Sequence, residues 1–127
     1  MTNRWLCFAG IFGFLGVATG AFGAHALEGS VSPKMADTFD TASHYCLAHA
    51  LALLGLASVL REHPDRLLRV AGWCFVGGIS VFSGSLWVLV LSGQKWLGAI
   101  TPIGGTALIT GWLCIALRGW RGDVDGE

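Results

Sequence analysis

The fold class predicted by this sequence is all-α: a four-helix transmembrane bundle with antiparallel neighbours. Three observations predict it. First, 54% of the 127 residues are hydrophobic and only 13% are charged, where a soluble domain carries roughly a quarter. Second, the uncharged residues collect in four runs, at 5–27, 41–60, 70–92 and 97–117, and none of these holds Asp, Glu, Lys or Arg. A bilayer's hydrocarbon core needs roughly 20 helical residues at about 1.5 Å each, which every run supplies. Third, the connectors are short, so consecutive helices lie side by side and antiparallel. The whole chain, 1–127, then reads as a single integral membrane domain.

The first span carries a stripe of glycines. Gly13, Gly16, Gly20 and Gly23 fall within a narrow arc at about 100° per residue. Such a stripe lets another backbone approach closely, which matters where lipid removes the ordinary hydrophobic drive. Packing inside the bundle is the preferred use, ahead of a dedicated dimer face. A cleaved signal peptide is the competing reading of this run, with Arg4 as its n-region and Ala24-His25-Ala26 as its cleavage site. The run is longer than an h-region of about 7–15 residues, so it is read as a retained span.

A helical extension leads into the second span from about residue 33. Ser32 is a capping residue and Pro33 suits the first turn. Its early turns are amphipathic, with Met35, Phe39 and Ala42 on one side and Asp37, Asp40 and His44 on another. Pro64 ends this helix and Asp65 caps the third. Gly77, Gly84 and the serines beside Gly84 give the third span small residues for packing. Thr101-Pro102 starts, or kinks, the regular part of the fourth, whose small stripe is Gly104, Ala107 and Gly111. The tail at 123–127 is acidic and expected to fray.

Orientation follows from the basic residues. Arg4, Arg61, Arg66, Arg69, Arg118 and Arg121 flank one end of the spans, while only Lys34 and Lys95 flank the other. Positive-inside bias places both termini in the cytoplasm. Trp5, Trp73 and Trp120 then sit near the inner interface and Trp96 near the outer one. Formal net charge is zero, so no nucleic-acid partner is expected. The partners expected are the lipid bilayer and either a second copy or another membrane protein.

Placed by depth, the polar side chains gather in the outer half: His25, Tyr45, His49, Ser83, Ser85 and Thr101. Polar groups inside a bilayer are costly and face protein or water, so His25, Tyr45, His49 and the Ser83/Ser85 pair are expected to approach one another. This cluster is the possible ligand-binding site. His25, Asp40, His44 and His49 are of metal-ligand type, and Asp40 and His44 stand at i, i+4. His49, however, points about 140° away from His44 on an ideal helix, so one ion does not take both. The expectation is no metal, with the histidines as hydrogen-bonded structural groups. Neither serine lies in a nucleophile-elbow pattern, so no catalytic residue is assigned. Cys7, Cys46, Cys74 and Cys114 form no C-x-x-C and read as small apolar residues. No dinucleotide or phosphate-loop motif appears, and no cofactor is expected.

Five ordered motifs carry a family resemblance: Gly20-Ala-Phe-Gly-Ala-His25, Tyr45-x-x-x-His49, Phe82-Ser-Gly-Ser-Leu86, Thr101-Pro-Ile-Gly-Gly105 and Gly111-Trp112. Over nearly the whole chain the sequence resembles the YgdD-like family of small inner-membrane proteins, domain of unknown function 423. The resemblance implies a four-span, multi-pass protein of the inner (plasma) membrane and no assigned activity. Two departures stand out: Cys46 where relatives often carry Gln, and Trp87 where they often carry Tyr. The function expected is a non-catalytic accessory or scaffold subunit, or a homo-oligomer. The alternative is a small-ligand, metal or proton-binding membrane protein that uses the outer-half cluster.

Overall fold

The computed structural model describes residues 3–122. Its regular elements are all helical: α1 (Arg4–Phe22), α2 (Pro33–Glu62), α3 (Arg66–Ser92) and α4 (Thr101–Arg121). A π-helical turn, Gly23–Leu27, continues α1, and a 3-10 turn, Lys95–Ala99, leads into α4. With these turns the four helical stretches hold 24, 30, 27 and 27 residues, each long and apolar enough to cross a membrane. The acidic tail at 123–127 lies outside the described residues.

Local chemistry sets the ends. Asn3 Oδ1 accepts from the Leu6 N–H at 3.1 Å and opens α1. Ser32 Oγ accepts from Met35 N at 3.2 Å, with Pro33 in the first position of α2. Asp65 Oδ1 accepts from Leu68 N at 2.9 Å and opens α3. Each cap satisfies an N–H that the first turn leaves without a partner. Gly93 closes α3 at φ +75°, and its N–H reaches Leu89 O. That left-handed conformation suits a residue without a β-carbon. At roughly 1.5 Å per residue α2 is about 45 Å long, more than a hydrocarbon core. Its first turns therefore extend past the apolar zone, and Asp37, Asp40 and His44 there are exposed.

α1 packs mainly on α2 and α4 mainly on α3, while α2 and α3 pair in the middle. The register on each side is antiparallel. A β-carbon placed on Gly13 would meet Ala50, on Gly16 Leu47, on Gly20 Ser43, and on Gly23 Phe39. As the position rises along α1 its contact falls along α2 in step. Within α1, Gly16 approaches backbone most closely: a β-carbon there would stand 2.9 Å from the Leu47 nitrogen. On the other side Gly104 stands against Phe82 N and Gly78 O, and Gly111 against the Phe75 ring.

Two small-residue positions differ from the expectation. Gly84 and Gly77 face open space, and Gly78 and Gly72 make the close contacts of α3. One step along a helix turns a residue by about 100°, so Gly77 and Gly78 point to different surroundings. Trp5 also differs from an interfacial belt residue. Only 8% of it is exposed, because Gly72 leaves room for its indole and Trp73 meets it edge-on at 5.1 Å.

The main core joins all four helices, with Phe12, Cys46, Leu53, Phe75, Ile79 and Leu108 among its members. A smaller cluster of Leu27, Phe39, Leu89 and Val90 closes the other end. The outward faces are apolar: Phe14, Leu91 and Ile103 are each more than 60% exposed. Apolar surface of this kind suits lipid rather than water.

Candidate functional site

His49 lies on the inward face of α2, 5% exposed. Its ring is set between Phe75, edge-on at 5.2 Å, and Trp112, edge-on at 5.8 Å. Trp112 donates its indole N–H to His49 Nε2 at 3.0 Å. An indole N–H only donates, so Nε2 is the acceptor and Nδ1 bears the proton. Nδ1–H in turn donates to the Tyr45 carbonyl oxygen, 2.7 Å away and one turn earlier. Both ring nitrogens are therefore engaged, and the imidazole is held as one neutral tautomer. Tyr45 lies parallel to this ring and stacks on Phe82 with centroids 4.5 Å apart.

The hydroxyls form separate bridges. Ser83 donates to the Ala42 carbonyl at 2.7 Å and ties α3 to α2. Ser85 and Thr101 lie 2.6 Å apart and tie α3 to α4. Phe82 O and Leu97 O provide further acceptors for that pair. A third bridge comprises Thr19, Ser43 and Trp87. Thr19 and Ser43 hydroxyls meet at 2.8 Å, and the Trp87 indole reaches Ser43 at 3.4 Å. It joins α1, α2 and α3. Cys46, fully buried, donates its S–H to Phe12 O at 3.2 Å. Among the described residues, no buried side-chain nitrogen or oxygen lacks a hydrogen-bond partner.

The expected single cluster is thus not what forms. His49 and Tyr45 are neighbours, but neither serine hydroxyl bonds to His49, and each serine serves a different helix pair. His25 is a plain correction: its side chain is exposed and takes no part in any of these bridges. Gly23, two positions earlier, faces Phe39 on α2, so a residue roughly half a turn further round points away from it. His44 and Asp40 pair with each other at 3.2 Å on the exposed face of α2, away from His49. Among the described residues no group of three or more His, Cys, Asp or Glu side chains is arranged to hold a metal ion.

Four participants escaped the sequence reading: Thr19, Ser43, Trp87 and Trp112. Thr19 sits in the glycine run, and Trp87 and Trp112 entered only through the family resemblance, one as a departure and the other within a motif. The signal available for Trp87 and Trp112 was chemical. An indole N–H within the hydrocarbon zone needs an acceptor, and Ser43 and His49 were the acceptors at comparable depth.

A family model described as protein of unknown function (DUF423) matches residues 19–105. That stretch holds every side chain of the bonds above except Trp112, and leaves out the Phe12 carbonyl. A UPF0382 membrane protein of Staphylococcus aureus is 41% identical over 107 residues, which covers 84% of this chain and 87% of the relative. One from Haemophilus influenzae is 38% identical over 122 residues, covering 95% and 97%. The UPF0382 membrane protein YwdK of Bacillus subtilis is 41% identical over 108 residues, covering 81% and 85%. No solved structure matches the chain.

Proposed function

Because the chain belongs to the DUF423 family and is a membrane protein like its UPF0382 relatives, we propose that it serves as a non-catalytic accessory or scaffold subunit. It acts through association within the membrane, with another membrane protein or with further copies of itself. One observation carries this reading. Gly77, Ser80 and Gly84 stand at i, i+3 and i+7 on α3, and β-carbons on the two glycines would meet nothing within 4 Å. Ser80 is exposed and its hydroxyl turns back to Val76 O. Small outward-facing residues at this spacing let a second helix come close where lipid otherwise lies.

The chemically able side chains support the same reading. His49, Ser83, Ser85 and Thr101 are engaged in holding helices together. The alternative, a ligand, metal or proton site, needs those groups available.

The membrane proposed is the cell's inner (plasma) membrane, with both termini cytoplasmic. Arg4, Arg61, Arg66, Arg69, Arg118 and Arg121 flank one end of the helices and Lys34 and Lys95 the other, which is the positive-inside asymmetry.

Gentle-detergent purification from native membranes tests the role. A defined complex, either with a reproducible partner or as an oligomer, is expected. Gly84→Leu should release the associated chain while the monomer stays folded. Reproducible recovery of the chain alone, as a monomer, would sink the proposal.

A further inference from the structure

At one end of the bundle, where α1 begins, α2 ends and α3 begins, the surface opens into a cleft of about 750 Å³. Trp5 and Leu60 are part of its apolar floor. Its rim carries Asn3 and three arginines, Arg4, Arg61 and Arg69, one from each helix. The arginines are exposed, and among the described residues none of the three forms an ion pair with a carboxylate.

Helix stability does not account for this arrangement. Arg4 is the first residue of α1, and Arg69 lies in the first turn of α3. Cations at these positions oppose the positive end of the helix dipole. At the start of α1 no acidic residue offsets Arg4, while at the start of α3 only the capping carboxylate of Asp65 stands against Arg69. Three guanidinium groups around one opening also repel one another. A bound anion relieves both costs, because it faces three strong donors and the positive end of α1. The walls are held in place: Trp5 is packed against Gly72 and Trp73, which fixes the start of α1 to α3.

The cleft also has a definite depth. It lies where the apolar runs give way to charge, which is headgroup level. We infer that it binds the phosphate of an anionic phospholipid headgroup. Arg4, Arg61 and Arg69 contact the phosphate, and Trp5 and Leu60 lie against the glycerol and the first acyl carbons. Basic clefts between spanning helices take headgroups in this way.

The test uses the purified full chain in neutral detergent. It is titrated separately with dioleoyl phosphatidylglycerol, dioleoyl phosphatidylcholine and inorganic phosphate, following the thermal midpoint and tryptophan fluorescence. Phosphatidylglycerol should give a saturable response and raise the midpoint, and phosphatidylcholine should give none at the same mole fraction. Arg61→Gln and Arg69→Gln should each weaken the phosphatidylglycerol response about tenfold, with helix content unchanged by circular dichroism. Arg121→Gln, exposed at the same end but outside the cleft, should leave it unaltered. Three results would each overturn the inference. One is an equal response to phosphatidylcholine, which removes headgroup selectivity. Another is equal potency of inorganic phosphate, which assigns the cleft to free anions. The third is an equal loss in Arg121→Gln, which reduces the effect to diffuse surface charge.

Discussion

Trp112 on α4 donates its indole N–H to Nε2 of His49 on α2, at 3.0 Å and across 63 positions of sequence. The bond spans α3's neighbours on either side, because α4 packs chiefly on α3. Removing the donor with Trp112→Phe leaves a smaller aromatic ring in place and Nε2 without a partner. Interhelical hydrogen bonds in bilayers contribute about 0.5–1.5 kcal/mol, so a loss of that size is expected. A double-mutant cycle with His49→Ala, read by detergent or thermal unfolding, should give a coupling energy of the same order. Strictly additive effects would mean that the two residues do not interact.

The glycines separate into those that pack and those that do not. A β-carbon at Gly16 would stand 2.9 Å from the Leu47 nitrogen, and at Gly104 2.5 Å from the Phe82 nitrogen. Backbone cannot turn aside as a flexible side chain can, so Gly16→Ala and Gly104→Ala should each cost about 1–3 kcal/mol. Gly13→Ala meets Ala50 only at 3.8 Å and should be far milder. Gly10→Ala, in open space within α1, should stabilise the isolated monomer by up to about 1 kcal/mol through helix propensity. Unfolding midpoints of the four variants check the order, and a destabilised Gly10→Ala with a neutral Gly16→Ala would invert it.

Asp65 ties two helices at the end that carries the arginines. Its carboxylate caps α3 through Leu68 N and receives Arg118 Nε at 2.5 Å. Burial by itself would raise the carboxyl's pKa. The Leu68 N–H and the Arg118 guanidinium outweigh that and hold it below its ordinary 3.8. A lowered folded pKa means stabilisation that is fully present above the ordinary value and lost as pH falls through the folded value. Asp65→Asn retains a capping oxygen and removes the charge. The wild type should therefore melt higher than Asp65→Asn at neutral pH, and the gap should close as the medium is acidified below about pH 4. A gap that is constant with pH would show that the charge contributes nothing.

Orientation has a direct check. With the four native cysteines replaced, a cysteine at Gly122 should react with an impermeant thiol reagent only from the cytoplasmic side. A cysteine at Gln94 should react only from the opposite side. The reverse pattern would overturn the proposed topology.

Much of the architecture was legible because it is local. Ser32, Pro33 and Asp65 announce helix starts through bonds made within three residues. The runs show their length without reference to anything else. The glycine stripe of α1 was legible as a stripe, since a fixed angle per residue places Gly13, Gly16, Gly20 and Gly23 together. The polar site was legible only in depth. His25, Tyr45, His49, Ser83, Ser85 and Thr101 share one half of the apolar zone, yet they point in different directions, and depth does not report direction. Gly84 shows the same limit: it lies among packing residues in sequence and faces outward in space.

By itself, the sequence determined that this protein is four apolar helices, where α2 and α3 begin, and which end is basic. Those properties depend on composition, periodicity and capping, which act over a few residues. The tertiary structure alone decided which hydroxyl meets which carbonyl and that His49 is held by Trp112. It also decided that His25 stands apart and that three arginines share one cleft. Those outcomes depend on how each helix is rotated about its own axis against its neighbours. That rotation is set by close packing of many side chains from distant parts of the chain, and no local pattern encodes it.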